Sequence, residues 1–228
     1  MFTGEEWDAI ELSLWVATWA VTASLPLAIP LGYGLARWKG RSKWLVETLV
    51  NLPLVLPPVV TGYVLLLLFG GAGPIGGPLE RWFGIQIAFS WAGAALAAAV
   101  VSFPLMVRAI RIAFAGVDER LEGVARTLGS SPLDTFLSVS LPLALQGVLA
   151  GSILAFARSL GEFGATIMLA GNIPGRTQTI PTAVFSLVQT PGGVSRSGRL
   201  VLVSVLLACV TLAISEILER RQYRRESA

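Results

Sequence analysis

The sequence predicts an all-α, polytopic membrane protein with five transmembrane helices, a sixth being left open, in a single domain spanning residues 1–228. Composition, residue order and the residues that are missing carry this reading. Of 228 residues, 54% are apolar and 14% charged, with a mean hydropathy of +0.71; soluble domains hold roughly 25% charged residues. The apolar excess falls in blocks of about 20 residues or more, the length a helix needs to cross a hydrocarbon core. Histidine is absent and Cys209 is the one cysteine. That excludes Ser-His and Cys-His catalytic pairs, a His-bearing zinc site and an internal disulfide, and no metal or cofactor is indicated.

Five blocks read as spans: residues 10–36, 46–69, 88–107, 141–170 and 200–218. The first is flanked by Glu5, Glu6, Asp8 and Glu11, acidic where a cleavable signal sequence needs positive charge. Residues 177–191 contain a shorter apolar run, too brief to span, and read as an interfacial or re-entrant element.

The basic residues orient the spans. Arg37, Lys39, Arg41 and Lys43 follow span one; Arg108, Arg111, Arg120 and Arg126 follow span three; Arg220, Arg221, Arg224 and Arg225 follow span five. The opposite side has Arg81, Arg176, Arg196 and Arg199, and Arg158 falls inside span four. The positive-inside rule then places the N-terminus outside and the C-terminus in the cytoplasm. Trp38 and Trp44 at the inner boundary, and Trp82 and Trp91 at the outer one, fit the aromatic belts. This distribution turns the net charge of +3 and pI near 9.5 toward a membrane, not a nucleic acid.

Span two carries Pro53, Pro57 and Pro58, which free carbonyls and bend a helix, as a packing kink or as a flexing element beside a pathway. The glycines at positions 70, 71, 73, 76 and 77 mark a mobile outer loop.

The longest connection, about residues 115–140, is patterned. Leu121, Val124, Ala125 and Leu128 recur at i, i+3, i+4 and i+7 on a short amphipathic helix, and Gly129 stands where a left-handed C-cap is wanted. Ser131, Pro132 and Asp134 read as the cap and first turn of a second short helix, after which Leu141 and Pro142 open span four. Such a helical pair either lies on lipid headgroups or docks a cytoplasmic partner.

Within span four, Gly147, Gly151, Ala155, Arg158, Ser159, Glu162 and Thr166 fall in one sector if the helix is continuous. The small residues permit close helix approach. A charge at bilayer depth costs about 2.5–3.5 kcal/mol, so Arg158 and Glu162 should pair and face protein or water. Either the pair pins this helix to its neighbours, or the sector lines a translocation path or gate, with Arg158, Ser159 and Thr166 as donors to a passing oxyanion. A third reading puts the pair nearer the outer interface.

The stretch Gly123-Val124-Ala125-x-x-x-Gly129, followed by Val139-x-Leu141-Pro142, resembles the EAA loop of bacterial ABC importer permeases, which docks the ATPase subunit. Gly123 stands where that loop has glutamate, with Glu122 beside it, and Val124 replaces an alanine. The resemblance assigns ATPase coupling to Glu122, Gly123, Val124, Ala125, Arg126, Gly129, Leu141 and Pro142, without a salt bridge from position 123. The run Ala157-Arg158-Ser159-Leu160-Gly161-Glu162-Phe163-Gly164-Ala165 is similar to molybdate and sulfate permeases of ABC importers. Residues 52–63, 102–111, 172–175, 179–181 and 189–193 are more typical of the molybdate branch. The resemblance covers nearly the whole chain. It implies a type I ABC importer permease fold in a bacterial-type inner membrane, and import of molybdate, with tungstate an expected co-substrate. The implied partners are a second copy of the chain, two cytoplasmic P-loop ATPase subunits, an extracytoplasmic molybdate-binding protein and membrane lipid. The chain has no G-x-x-x-x-G-K-[ST] run of its own, so hydrolysis belongs to the partner. A sulfate or thiosulfate permease is the near alternative, and a channel-like or scaffold protein without an ATPase the alternative of another class.

Overall fold

The computed structural model describes residues 3–226, with side chains described through residue 217, so the tail arginines counted above lie outside the described side chains. Its helices are α1 (Gly4–Arg37), α2 (Lys43–Val55), α3 (Pro58–Phe69), α4 (Gly76–Phe83), α5 (Trp91–Ala115), α6 (Glu119–Thr127), α7 (Pro132–Leu160), α8 (Gly164–Leu169), α9 (Ile180–Val188) and α10 (Gly193–Glu226). No strand occurs among the described residues. Four helices, α1, α5, α7 and α10, are long and apolar enough to cross a membrane alone.

The centre of the bundle is α5, packed between α1 and α7. Small residues make this possible. A Cβ on Gly32 would come within 2.6 Å of Ile110, and one on Gly151 within 2.9 Å of Ala109; Gly147 sits against Ala113 in the same way. The small-residue row on span four therefore meets α5, as its spacing suggests. Val21, Ala28 and Leu35 of α1, Met106, Ile110 and Phe114 of α5, and Ala144 and Val148 of α7 form one buried cluster. The pairings also fix direction. Ala20 meets Ala94 while Leu35 meets the Val107 end, so α1 and α5 run parallel. Along α7, Ala144 lies in the Phe114 cluster and Ser159 reaches Ser102, so α7 runs antiparallel to them.

Span two is not one helix. α2 and α3 meet at an angle of 108°. Leu56 precedes a proline and is driven to an extended conformation, with ψ of 143°. Pro57 in turn precedes Pro58, and neither can donate to the helix ladder. Two consecutive prolines thus break the helix where a single one would kink it. The pair still runs the length of α5: Glu47 of α2 touches Arg111 at one end of α5, whereas Leu65 of α3 packs on Ala88 and Ala97 at the other. Counted as one broken crossing, it is the fifth candidate span.

Two further expectations change. The second short helix expected in this connection is the first turn of span four itself, since α7 runs unbroken from Pro132 through Pro142. A π-helical stretch, Phe136–Ser140, makes room for it, with the Leu141 N–H donating to the Phe136 carbonyl one residue farther back than usual. Residues 70–77 form a tight turn: the Ile75 N–H reaches the Leu68 carbonyl at 3.0 Å, and a Cβ on Gly73 would lie 2.5 Å from the Leu67 carbonyl. These glycines serve close backbone approach. Residues 177–191 hold α9, nine residues long and too short to span.

Candidate functional site

Two places gather the polar residues singled out above. The first is the connection carrying α6. Asp118 caps α6, its Oδ1 accepting the Arg120 N–H at 2.9 Å. At the other end the Gly129 N–H donates to the Arg126 carbonyl and the Ser130 N–H to the Ala125 carbonyl, while Gly129 takes φ of +97°. That is a Schellman closure, and the positive φ is why glycine stands there.

One face of α6 turns inward through Glu122. Its Oε1 accepts from Arg37 Nη2 at 2.7 Å, Arg37 Nε at 3.2 Å and Ser140 Oγ at 2.8 Å, and its Oε2 accepts from Tyr33 at 3.2 Å. The same Arg37 donates to the Val117 carbonyl at 3.0 Å. Tyr33 stacks edge-on against Phe114 and Phe136, with centroids 5.2 and 4.9 Å away. One carboxylate thereby ties α6 to the end of α1 and to the π-turn of α7. Burial raises the Glu122 pKa, but the hydrogen bonds from Arg37 and Ser140, the Arg37 charge and the Tyr33 hydroxyl outweigh it and hold the carboxyl below its ordinary value. The family resemblance marked Glu122 as a neighbour of the expected loop glutamate; the structure turns it away from the exposed surface.

The other face of α6 is apolar and bare. Leu121 is 48% exposed, Val124 56% and Leu128 82%, with Leu133 of α7 at 67% beside them. Gly123 has nothing within 4 Å of a built Cβ. Arg126 is exposed, Ala125 and Leu141 are half-buried, and Pro142 is exposed.

The second place lies midway along the bundle. Ser159 donates to Ser102 at 3.1 Å, and Ser102 is near the midpoint of α5, which sets the depth. Arg158 pairs with Glu162 at 2.8 Å, its side chain 31% exposed and that of Glu162 2%. The single sector expected for span four is interrupted here. α7 ends at Leu160, Glu162 lies in the break, and Thr166 belongs to α8. Glu162 has a second task, since its Oε1 accepts the Ala165 N–H at 2.9 Å and so caps α8. Ser159, Glu162 and Thr166 are buried within the chain, leaving Arg158 as the member that reaches the surface.

The break in span four lies against the break in span two. A Cβ on Gly164 would approach Pro58 to 2.8 Å, and one on Gly62 would approach the Ala165 backbone to 2.7 Å. Next to that contact the Thr61 hydroxyl is buried without a hydrogen-bond partner. Proline pairing in span two signals this arrangement; nothing in the sequence signals which glycine it meets.

The family described as binding-protein-dependent transport system inner membrane component matches residues 28–224. The molybdenum transport system permease protein ModB of Escherichia coli strain K12 is 54% identical over 220 residues, covering 96% of each chain. The protein of the same name from Haemophilus influenzae is 50% identical over 220 residues, again covering 96% of each. Among solved structures, a bacterial ABC transporter involved in the import of the acidic polysaccharide alginate superposes with a TM-score of 0.71 at 14% identity, covering 98% of this chain and 80% of that one. The inward-facing MetNI methionine ABC transporter gives 0.66 at 14% identity, covering 95% and 94%. At such identities these two likenesses concern the fold.

Proposed function

The chain belongs to the family of binding-protein-dependent transport system inner membrane components, and from that premise we propose how its two polar places serve transport. It is the membrane-spanning permease subunit of an ATP-driven ABC importer for molybdate. It is not itself an enzyme; ATP hydrolysis is supplied by a separate ATPase subunit.

Two copies of the chain form the conduit, two P-loop ATPases dock on the cytoplasmic side, and an extracytoplasmic binding protein delivers molybdate, or tungstate, from outside. The N-terminus lies outside and α6 in the cytoplasm. The observation that carries the docking assignment is the division of α6 into two faces. Leu121, Val124 and Leu128 stand exposed on one, and Glu122 fixes the other to α1 and α7. An apolar face held by a buried charge on its back suits a partner's cleft better than a loose lipid contact, because a push on it reaches two spans. Gly129 and Ala125 shape its end, and Arg126 lies at the rim. Midway along the bundle, Arg158, held by Glu162, is the candidate contact for a passing oxyanion, while Ser159 and Thr166 are buried within the chain.

The test is co-purification of the ATPase with Leu128→Glu and Leu121→Glu variants. An exposed substitution should alter folding by no more than about 0.5 kcal/mol, yet the ATPase should be lost. Retention of the ATPase would remove the docking assignment. Molybdate-dependent ATP hydrolysis by the full assembly, against tungstate and sulfate, tests the cargo.

A further inference from the structure

Between α1, α2 and α5 lies a gap that the transport reading does not use. At the end bearing Lys43 and Arg111 it opens as a cavity of about 170 Å³ with Glu47, Asn51, Arg108 and Arg111 on its polar wall and Leu35 and Val50 on its floor. Glu47 is shared between Arg111 and Lys43. Arg108 is exposed and has no ion pair among the described residues. The mouth therefore carries surplus positive charge.

Val50 also belongs to a second cavity, of about 410 Å³, which continues along the same three helices past Leu27, Pro53 and Phe103 to Leu96. Leu96 is twelve residues from Arg108, roughly 18 Å along α5. The Ser24 hydroxyl on this wall is already spent on the Ala20 carbonyl at 2.6 Å, so the groove offers no free donor there. Leu27 and Leu49 on its rim are 67% and 72% exposed.

We infer that these two cavities form one binding site for an anionic phospholipid of the inner leaflet, its phosphate on Arg108 and one acyl chain in the apolar groove. Basic pockets between spans on the cytoplasmic side suit such headgroups. A free oxyanion satisfies the mouth and leaves the groove empty. An apolar helix from a second copy fills the groove and leaves Arg108 without a counter-charge. A phosphate attached to a hydrocarbon chain answers both. The inference rests on the Arg108 end of α5 being cytoplasmic, which labelling of a Ser42→Cys, Cys209→Ser variant from each side tests separately.

The experiment is native mass spectrometry of the full chain assembled with its ATPase, titrated with phosphatidylglycerol or with phosphatidylcholine of the same acyl chains. Phosphatidylglycerol should be retained preferentially. Arg108→Gln should weaken its retention about fivefold, the loss of one cation near the membrane surface, and leave phosphatidylcholine unchanged. Ala23→Phe fills the groove from an exposed position on α1 and should weaken both lipids. Equal retention of the two lipids, or retention indifferent to both substitutions, overturns the proposal. Displacement of phosphatidylglycerol by molybdate would instead give the mouth to the carried anion. An assembly of two copies that retains neither lipid would give the groove to the second copy.

Discussion

Replacing Glu122 is the sharpest perturbation of the connection between α5 and α7. In Glu122→Ala, Arg37 loses both of its carboxylate contacts at 2.7 and 3.2 Å, and Ser140 and Tyr33 lose their acceptor. Arg37 is only 17% exposed, so water repairs this poorly. Removing one partner of a buried, hydrogen-bonded ion pair costs about 2–5 kcal/mol. The lower half applies here, because the Val117 carbonyl still accepts from Arg37 and the site is near the surface. Glu122→Gln keeps the shape and one acceptor oxygen, and should cost about 1–2 kcal/mol. The loss is local: α6 detaches from α1 and from the π-turn. Hydrogen exchange in residues 117–128 should accelerate about 30-fold or more for Glu122→Ala, while mid-helix amides of α5 stay protected. The ATPase should still bind the Leu121, Val124 and Leu128 face, but hydrolysis should proceed with reduced transport per ATP. Acid should imitate the substitution. A carboxyl with a depressed folded pKa contributes stability that is complete above the ordinary carboxylate range and is lost as pH falls through the folded value. Glu122→Gln should remove that acid limb. Parent-like exchange and parent-like coupling in both variants would refute the tie.

Three other outcomes are expected. Arg158→Gln strands a buried carboxylate and should lower thermal stability in detergent more than the Arg158→Gln, Glu162→Gln double variant, a difference of about 1–3 kcal/mol read from a double-mutant cycle; additive losses would dissolve the pair. If the double variant transports at the parental rate, Arg158 has no part in the pathway. Gly62→Ala drives a methyl to 2.7 Å from the Ala165 backbone and should destabilise by about 1–3 kcal/mol by melting temperature. Gly123→Ala meets open space in a helix and should stabilise α6 by about 0.5–1 kcal/mol; a loss there would mean that the missing side chain matters to docking.

Length and hydropathy were enough for the three unbroken spans, α1, α5 and α10, because each is long and has one apolar requirement throughout. The breaks were less legible. Pro57 and Pro58 announce a disturbance, but its angle depends on what α3 rests against, and the Gly164 contact is 106 residues away in sequence. Pro142 looked like a helix start, since proline favours the first turn. The π-turn before it instead lets α7 continue, a choice made by Ser140 and Phe136 packing on Glu122 and Tyr33. The Schellman end at Gly129 and the Ser131 cap are purely local and were readable from residue types alone. Glu122 was legible as important and not as inward-facing, because its partners Arg37 and Tyr33 come from span one.

The meeting of the two breaks explains why a charge sits at mid-depth at all. Irregular backbone cannot face lipid without its N–H and C=O groups satisfied, so each interrupted helix needs a polar supplier inside the protein. Span two needs little from outside, since prolines at 57 and 58 remove two donors and the Leu56 N–H still reaches Leu52 at 3.0 Å. Span four has no proline at its break, so α8 begins with exposed donors, and Glu162 accepts one of them from within the same turn. A neutral Ser or Asn cap would serve in water. At mid-depth the carboxylate makes a stronger, charge-assisted bond, and Arg158 one turn earlier offsets its charge at 2.8 Å. The pair thus serves the break itself, before any role toward the anion. The proposed oxyanion contact would fall to the part of Arg158 that the cap leaves exposed, so it is read from transport by the 158/162 double variant, because a single substitution at either position acts first on the fold.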